Sequence, residues 1–408
     1  MAGPLQGIVV LDLSRILAGP WATQVLADFG AEVLKVEHPR GGDDTRRWGP
    51  PYLRDAAGNE TGESAYYLAA NRGKRSIAID FSRPEGQALV RQLAARADVL
   101  VENFKVGGLA RYGLSYADLA ADNPKLVYLS ISAFGQDGPD AAKPGYDAMI
   151  QAMGGLMSLT GIPAGEPGAG PQKVGVAVAD LMCGMYAVTA ILAALHERDR
   201  SGQGQYIDLS LLDTQVAWLA NQNLNYLVTG QVPQPQGTAH PNIVPYQAFA
   251  TADGYLMLAV GNDAQFARFC VAAGAPEFAA DPRFATNAGR VAHRRLVVPA
   301  VAGWLRGRST RQWLEMLVAA EVPCGRINDL AQVFDEPQVR HRGLRFNLPH
   351  PLAGTVPGVR NPVRFSRSTL EYDRAPPPLG ADTTAELQSR LGLDPATLSD
   401  LVARGVIA

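Results

Sequence analysis

The stretch GIVVLDLSRILAGPWATQVLADFGAEVLKVEHP, residues 7–39, changes its hydrophobic period twice. Residues 8–13 form an apolar run typical of a buried strand, residues 20–29 follow a helical pattern, and residues 33–36 form a second apolar run. Pro20 suits the first position of a helix. The stretch therefore predicts a β-α-β unit. Open parallel sheets bind their ligands at the carboxyl ends of such strands.

The same alternation recurs further along the chain. Apolar runs and a helical pattern again combine in residues 75–104, RSIAIDFSRPEGQALVRQLAARADVLVENF, and 126–135, LVYLSISAFG. After Gln205 the sequence pattern changes. Residues 246–262, YQAFATADGYLMLAVGN, predict a hairpin with Asp253-Gly254 at its turn. We therefore predict an α/β protein, with a Rossmann-like large domain and a smaller α+β domain.

Composition excludes several classes of protein. The chain has 408 residues and a formal net charge of -2, so no overall basic field favours nucleic acid or an anionic membrane. Three distant cysteines indicate neither a disulfide framework nor a zinc site, and six histidines without paired spacing indicate no metal centre. The amino terminus has no secretory pattern, and a cytoplasmic location is expected. Walker A, G-x-G-x-x-G and G-x-S-x-G motifs are absent.

VAVADLMCGMYAVTAILAAL, residues 176–195, contains one charged side chain, Asp180. Burying an unpaired carboxylate is costly, so this aspartate needs a reason. A helix cap or a hydrogen-bonded buried aspartate would explain it. So would a carboxylate nucleophile, whose acyl intermediates must be shielded from water. The run is long enough to span a bilayer, but its Ala and Gly content and Asp180 favour a buried core helix.

Basic residues gather near the predicted strand ends. Individually each is most simply solvated surface charge, but together they suit a ligand with several phosphates. They are Arg72, Lys74, Arg75, Arg83, Lys105 and Arg111, with His38 and Lys143 as weaker additions.

In these segments the chain resembles family III CoA-transferases over essentially its full length. Single segments would be weak evidence, but their order and spacing are specific. They include VLDLSRILAGP, GAEVLKVEHP, NRGKRSIAID, ADVLVENF, GYDAMIQAMGGLMSLTG and VAVADLMCGMYA. The resemblance implies a transferase that needs no tightly bound metal or redox cofactor and uses coenzyme A as substrate and product.

The resemblance places the family's catalytic aspartate at Asp180. It implies that Asp180 attacks an acyl-CoA thioester and passes through anhydride and aspartyl-CoA thioester intermediates. The CoA-binding positions that it implies, together with the basic candidates above, are Leu17, His38, Arg72, Ser82, Arg83, Asn103, Phe104, Lys105, Arg111, Tyr146 and Asp147. The glycine-rich loop that covers the site in formyl-CoA transferases is not obvious in this sequence.

The resemblance also implies an interlocked homodimer whose large domain is interrupted by the smaller one. The expected boundaries are residues 1–205 for the first part of the large domain, 206–235 for a linker helix, 236–325 for the small domain and 326–408 for a segment returning to the large domain. No nucleic-acid or membrane partner is expected.

Within the family, RGGDDTRRWGPP and GTAHPNIVPYQAF look most like the succinyl-CoA:glutarate branch. We therefore expect succinyl-CoA as donor and a dicarboxylate of the glutarate, itaconate or malate type as acceptor. Arg46, Arg47 and His240 are candidates for the second carboxylate, because guanidinium binds carboxylate bidentately. A formyl-CoA:oxalate-type transferase and an α-methylacyl-CoA racemase are the alternatives, although Tyr146 stands where the racemases carry histidine.

Overall fold

The computed structural model describes residues 3–408. The chain divides into two compact units. Unit 1 contains the residues up to Leu156 together with Lys173–Gln231 and Arg340–Ala408, and unit 2 contains Met157–Gln172 and Val232–Val339. The second unit is thus inserted into the first.

The strands have the following bounds. They are β1 (Val9–Asp12), β2 (Glu32–Glu37), β3 (Tyr52–Arg54), β4 (Glu60–Ser64), β5 (Lys74–Ala78), β6 (Val99–Glu102), β7 (Val127–Ser132), β8 (Tyr206–Ser210), β9 (Tyr246–Ala250), β10 (Tyr255–Ala259), β11 (Cys324–Arg326), β12 (Arg345–His350) and β13 (Gly354–Val359).

The α-helices have the following bounds. They are α1 (Ala18–Asp28), α2 (Ala65–Ala70), α3 (Pro84–Ala94), α4 (Tyr116–Ala120), α5 (Asp147–Met153), α6 (Leu156–Leu159), α7 (Val178–Ser201), α8 (Leu211–Trp218), α9 (Asn221–Thr229), α10 (Asp263–Ala272), α11 (Pro276–Ala280), α12 (Asn287–Ala292), α13 (Arg294–Leu305), α14 (Thr310–Ala319), α15 (Leu330–Asp335), α16 (Pro337–His341), α17 (Thr383–Leu391) and α18 (Pro395–Ala403). Short 3-10 helices cover Asp44–Arg47 and Ala110–Tyr112.

A six-stranded parallel sheet of order β5-β2-β1-β6-β7-β8 organises unit 1. The chain builds outward from β1 in one direction, through β2 and β5, and then returns to the other side with β6, β7 and β8. The sheet order therefore reverses between β1 and β6. In open parallel sheets, a ligand crevice forms outside the carboxyl ends of the strands at this point.

Consecutive residues of β1 supply the two faces of the sheet. Val10 packs with α1 and α7 in one core, and Leu11 packs in the other with α3 and the C-terminal helices α17 and α18. Strands buried on both faces read as continuous apolar runs, which is what the sequence shows at 8–13. The predicted Rossmann-like α/β fold is confirmed.

Helix α7, the apolar run around Asp180, is long and apolar enough to cross a membrane by length and composition. Ala179, Cys183, Ala187 and Ile191 recur on one side of it and are buried in the core with α1. The close approach depends on Gly184, because a Cβ there would lie 2.8 Å from the backbone oxygen of Ala18.

Unit 2 contains an antiparallel sheet of order β11-β10-β9. The hairpin β9–β10 surrounds Asp253 and Gly254, where the sequence predicted a turn. Phe266, Trp313 and their neighbours form its core. The segment predicted as a linker helix over 206–235 begins with β8, an edge strand of the central sheet, and continues with the helices α8 and α9.

Candidate active site

Two loops meet outside the reversal point of the sheet. One follows β1 and the other follows β6, and Asn103 joins them: its side-chain oxygen accepts the Arg15 N–H at 2.8 Å and its amide nitrogen donates to the Arg15 carbonyl at 2.7 Å. This reciprocal pair holds the two loops in fixed register. Leu17, Asn103, Phe104 and Lys105 accordingly lie together in one wall.

The loop after β1 carries local strain. Ile16 has φ 73°, a left-handed conformation that β-branched residues rarely adopt. Its N–H points at both carboxylate oxygens of Asp43, each at 3.2 Å. The ammonium of Lys35 donates to Asp43 at 3.0 Å and to the Ser14 carbonyl at 2.9 Å. A buried ion pair therefore maintains the strained loop.

Asp180 lies in the first turn of α7 and is 8% exposed. Together with Leu17, Lys105 and Tyr146 it lines a cavity of about 200 Å³, which we call the Asp180 cavity. Within residues 3–408, no hydrogen bond or ion pair is made to its carboxyl group. Burial, and then the charge of Asp147, raise the pKa of Asp180 to about 7.

Asp147 fixes the beginning of α7. Its Oδ1 accepts the Ala179 N–H at 2.9 Å and its Oδ2 accepts the side-chain N–H of Gln151 at 2.8 Å. A carboxylate at a helix N-terminus is favoured by the exposed backbone N–H groups. Asp147 thereby accepts the hydrogen bond from the Ala179 N–H, the backbone donor next to Asp180, and the Asp180 carboxyl has no partner of its own.

The outer part of the Asp180 cavity is basic. Arg15, Lys105 and Lys143 line it, and all three extend toward solvent. Lys143 pairs with Asp140 at 2.6 Å. Arg15 pairs with Asp44 at 3.2 Å and stacks its guanidinium over the Phe104 ring at 5.1 Å. The cavity therefore combines a buried carboxyl with exposed cations in its wall.

A second cavity continues from the first, since Arg15 and Phe104 line both. We call it the His38 cavity, and it has a volume of about 200 Å³. His38 and Ser82 lie in its wall and share Asp80: the Ser82 hydroxyl donates to the Asp80 carboxylate at 2.6 Å, and the His38 Nε2 lies 3.8 Å from it. The two cavities together form an elongated cleft across the carboxyl ends of the strands.

Two predicted basic residues lie near this cleft. Arg111 stacks over Tyr112, whose ring lines the His38 cavity, at 4.5 Å. Arg83 is exposed beside Ser82, and its guanidinium donates to the Arg404 carbonyl.

Arg72 lies elsewhere. It precedes β5, at the amino edge of the sheet, and its buried guanidinium pairs with Asp28 at 2.8 Å at the far end of α1. The expectation that Arg72 joins a phosphate-binding cluster is wrong, because all strands are parallel and the cleft lies at their opposite ends.

Arg46 is 6% exposed and is already paired. It donates to Glu37 at 2.8 Å and to Glu63 at 3.1 Å, and lies over the Tyr67 ring at 3.7 Å. Its N–H groups are therefore unavailable to a substrate carboxylate, and this part of the expectation is corrected. Arg47 is exposed and binds Asp44 and the Gly41 carbonyl.

His240 belongs to unit 2. Its ring stacks on Tyr246 with centroids 5.3 Å apart, and burial together with Arg294 lowers its pKa. Its role in binding an acceptor stays a prediction.

The structure adds two residues that the sequence patterns did not single out. Arg15 lies in the loop that follows β1, so its position in this loop was the available signal. Burial raises the pKa of Tyr66 on α2 to about 12, and the nearby carboxylate of Asp180 adds to the shift. No sequence motif marked Tyr66, because α2 reaches the site through the tertiary fold.

The described residues 3–408 contain no group of three or more His, Cys, Asp or Glu side chains arranged to hold a metal ion. The site therefore presents the buried, unpaired carboxyl of Asp180 at one end of a long basic cleft.

Comparison with known proteins decides the family, because the model of CoA-transferase family III matches residues 5–383. The chain belongs to CoA-transferase family III. It is 52% identical to the succinate–glutarate CoA-transferase of Agrobacterium fabrum, over 95% of this chain and 96% of the relative. It is 42% identical to the human succinyl-CoA:glutarate CoA-transferase, over 99% of this chain and 90% of the relative.

Solved structures agree with this assignment. A CAIB/BAIF family protein from Brucella suis is 47% identical and superposes with a TM-score of 0.84, covering 96% of this chain and 100% of that one. The predicted family and the predicted CoA-transferase activity are confirmed.

Proposed function

We propose that this CoA-transferase moves CoA from succinyl-CoA to glutarate, with Asp180 as the covalent nucleophile. The observation that carries the mechanism is the isolation of Asp180: it is buried, unpaired and exposed only to the cleft. The names of the two relatives cited above support the substrate pair. CoA is then a substrate, and the elongated cleft has the basic mouth that its phosphates need.

The chemistry proceeds by acyl exchange at Asp180. The ionised carboxylate attacks the succinyl thioester carbonyl, so that a C–O bond forms, the C–S bond breaks and CoA leaves as thiolate. The thiolate attacks the aspartyl carbonyl of the resulting anhydride, which releases succinate and leaves an aspartyl-CoA thioester. Glutarate attacks that thioester and expels the thiolate, which then attacks the glutaryl carbonyl and frees Asp180.

The site supports these steps by excluding water. Anhydrides hydrolyse readily, so the apolar surround of α7 protects them. Asp147 holds the Ala179 N–H and so sets the start of the helix that carries the nucleophile. Leu17, Asn103 and Phe104 wall the thioester end, and His38, Ser82, Lys105 and Arg111 serve the nucleotide end.

A panel assay tests the substrate pair. Succinyl-CoA is incubated with glutarate, itaconate, malate, oxalate and acetate, and the CoA esters are separated by chromatography. Glutaryl-CoA should form fastest. If oxalate or acetate were the preferred acceptor, the dicarboxylate assignment would fail while the transferase chemistry would stand.

We further propose that the working unit is a homodimer. Helix α9 of unit 1 exposes Leu224, Leu227 and Val228, which are 55%, 71% and 78% accessible. A helix face of this kind is typical of an interaction surface. Light scattering should give twice the mass of the 43.4 kDa chain, and a monomer at micromolar concentration would refute the proposal.

A further inference from the structure

Most buried acids in the described part of the chain lie beside a basic side chain. Eight Asp and Glu residues within 3–408 are buried, and six of them lie within 4 Å of a basic side chain. The two exceptions in this described part of the chain are Asp180 and Glu102. The first is the proposed nucleophile, and the second has no role in the mechanism above.

Glu102 is the last residue of β6 and is 6% exposed. It lies in the wall of a third cavity, of about 340 Å³, which we call the Tyr206 cavity. Its Oε2 accepts the Phe104 N–H at 2.7 Å, and Ser130, its neighbour on β7, lies beside it in the sheet. Both groups are neutral, so neither compensates a negative charge on the carboxyl.

The bond to Phe104 places Glu102 directly behind the cleft. Phe104 lines both the Asp180 cavity and the His38 cavity. Asn103, on one side of it, clamps the loop after β1, and Lys105, on the other, lines the Asp180 cavity. The residue that holds the Phe104 backbone therefore sets the position of this whole segment.

Lys105 connects the two sides of the segment, because it lines the Tyr206 cavity as well as the Asp180 cavity. Its side chain is exposed, and within residues 3–408 its ammonium forms no ion pair. It is thus an unpaired cation in the wall of the cavity that Glu102 also lines. A carboxylate formed at Glu102 would attract it away from the cleft.

Burial raises the pKa of Glu102 to about 7. Burial also raises the pKa values of Tyr128 and Tyr206, so both stay neutral near pH 7. The titratable and charged groups around this cavity are Lys105 on the loop after β6, Tyr116 on α4, Tyr128 on β7 and Tyr206 on β8, with Asp118 and Asp208 near the tyrosines.

We propose that Glu102 is a positioning residue for CoA: its neutral carboxyl fixes the Asn103–Lys105 segment through the Phe104 N–H, and its ionised form withdraws Lys105 from the cleft. The inference rests on the proposed function in one respect, namely that CoA occupies the Asp180 and His38 cavities. It predicts that CoA binds more tightly at pH 6 than at pH 8.5.

The test measures the Kd of free CoA by calorimetry, in an Asp180→Asn background that removes the other group titrating near pH 7. Glu102→Gln keeps an acceptor for the Phe104 N–H and cannot ionise, whereas Glu102→Leu removes the acceptor. At pH 6 the Gln variant should bind within twofold of its parent. The Leu variant should bind roughly tenfold more weakly, the effect of losing one buried hydrogen bond.

Between pH 6 and 8.5 the parent should lose about fivefold more affinity than Glu102→Gln, as expected for one withdrawn charge-assisted contact. All other ionisable groups are common to the two proteins and to the ligand, so their contributions cancel in this ratio. Lys105→Met should abolish the difference. A ratio of one would overturn the inference, and so would equal affinities of the Leu and Gln variants. If the Glu102→Leu variant does not fold, the comparison of the parent with Glu102→Gln between pH 6 and 8.5 still tests the inference.

Failure of the proposed function would look different. If the Asp180→Asn protein bound no CoA at any pH, while the wild-type enzyme transferred CoA, the assignment of the cleft would fall. If CoA bound but all Glu102 variants behaved alike, only the role of Glu102 would fall.

Discussion

Two groups of buried carboxyls in unit 1 behave in opposite ways. Behind the loop after β1, Asp12 pairs with Lys74 and Asp43 pairs with Lys35, each at 3.0 Å and fully shielded from solvent. At the cleft, Asp180 is nearly as buried and has no basic partner in the described chain. Burial alone therefore does not decide what a carboxyl does, since its neighbours determine whether it is a support or a reactive group.

The pKa values express this contrast. Burial by itself raises the pKa of Asp12, but Lys74 and Lys35, with hydrogen bonds from Ser14 and Thr23, outweigh it and hold the value at about 2. The same burial acts on Asp180 with no cation to oppose it, and Asp147 adds to it. The paired group fixes the strained loop, and the unpaired group can change its charge and its covalent state.

The largest expected effect comes from removing the unpaired group. Asp180→Asn should lower the rate of CoA transfer by at least about 10⁴-fold, because no nucleophile remains. Hydroxylamine should trap an aspartyl hydroxamate from wild-type enzyme mixed with succinyl-CoA, and none from the variant. Transfer by the variant at a rate close to that of the wild type would contradict the covalent mechanism.

The same substitution separates reactivity from stability. A raised pKa means that folding favours the protonated acid, so the stability it contributes is lost as pH rises through about 7. Asp180→Asn should therefore gain stability relative to wild type on going from pH 5 to pH 8. Urea unfolding at the two pH values checks this, and an unchanged difference would contradict the raised pKa.

The next effect concerns the paired acids. Arg46→Met leaves Glu37 and Glu63 buried without their cation, which should lower the free energy of unfolding by about 3–5 kcal/mol. Arg47→Met removes a neighbouring but exposed guanidinium, and should change it by less than about 0.5 kcal/mol. Denaturant unfolding of both variants makes the comparison, and equal losses would show that pairing is not what matters.

A smaller effect should appear in the pH profile of kcat/KM for succinyl-CoA. Asp180 must be ionised to attack, and its pKa is about 7. Below that value kcat/KM should fall about tenfold per pH unit. Above it kcat/KM should reach a plateau in the Glu102→Gln variant, whereas in the wild type the proposed withdrawal of Lys105 should lower it. Initial rates from pH 5 to 8 test the slope. A profile that is flat down to pH 5 would indicate that Asp180 has acquired a cationic partner.

The smallest effect concerns the exposed cations. Lys105→Ala and Arg111→Ala should each raise the KM for succinyl-CoA roughly fivefold to tenfold with little change in kcat, because they contribute uniform binding to phosphates. Arg72→Gln, at the opposite edge of the sheet, should leave KM unchanged and serves as the control. A defect confined to kcat would assign Lys105 or Arg111 another role.

Much of the site was accessible from the sequence because its signals are local. The β-α-β pattern located the ligand loops, and the apolar run around Asp180 marked an aspartate with no reason to be there. The expectations for Arg46 and Arg72 were wrong because the sequence does not show whether an arginine faces a ligand or a buried acid. Only the positions of Glu37, Glu63 and Asp28 distinguish these cases.

The sequence by itself determined the parallel α/β architecture, the family and the identity of the unusual carboxyl, because periodicity and motif order are properties of neighbouring residues. The tertiary structure alone decided which charges are paired. Glu37 meets Arg46 and Asp12 meets Lys74 across strands and loops, through contacts that no spacing encodes. Tyr66 and Glu102 take their places beside the cleft for the same reason, since packing brings them together from separate elements.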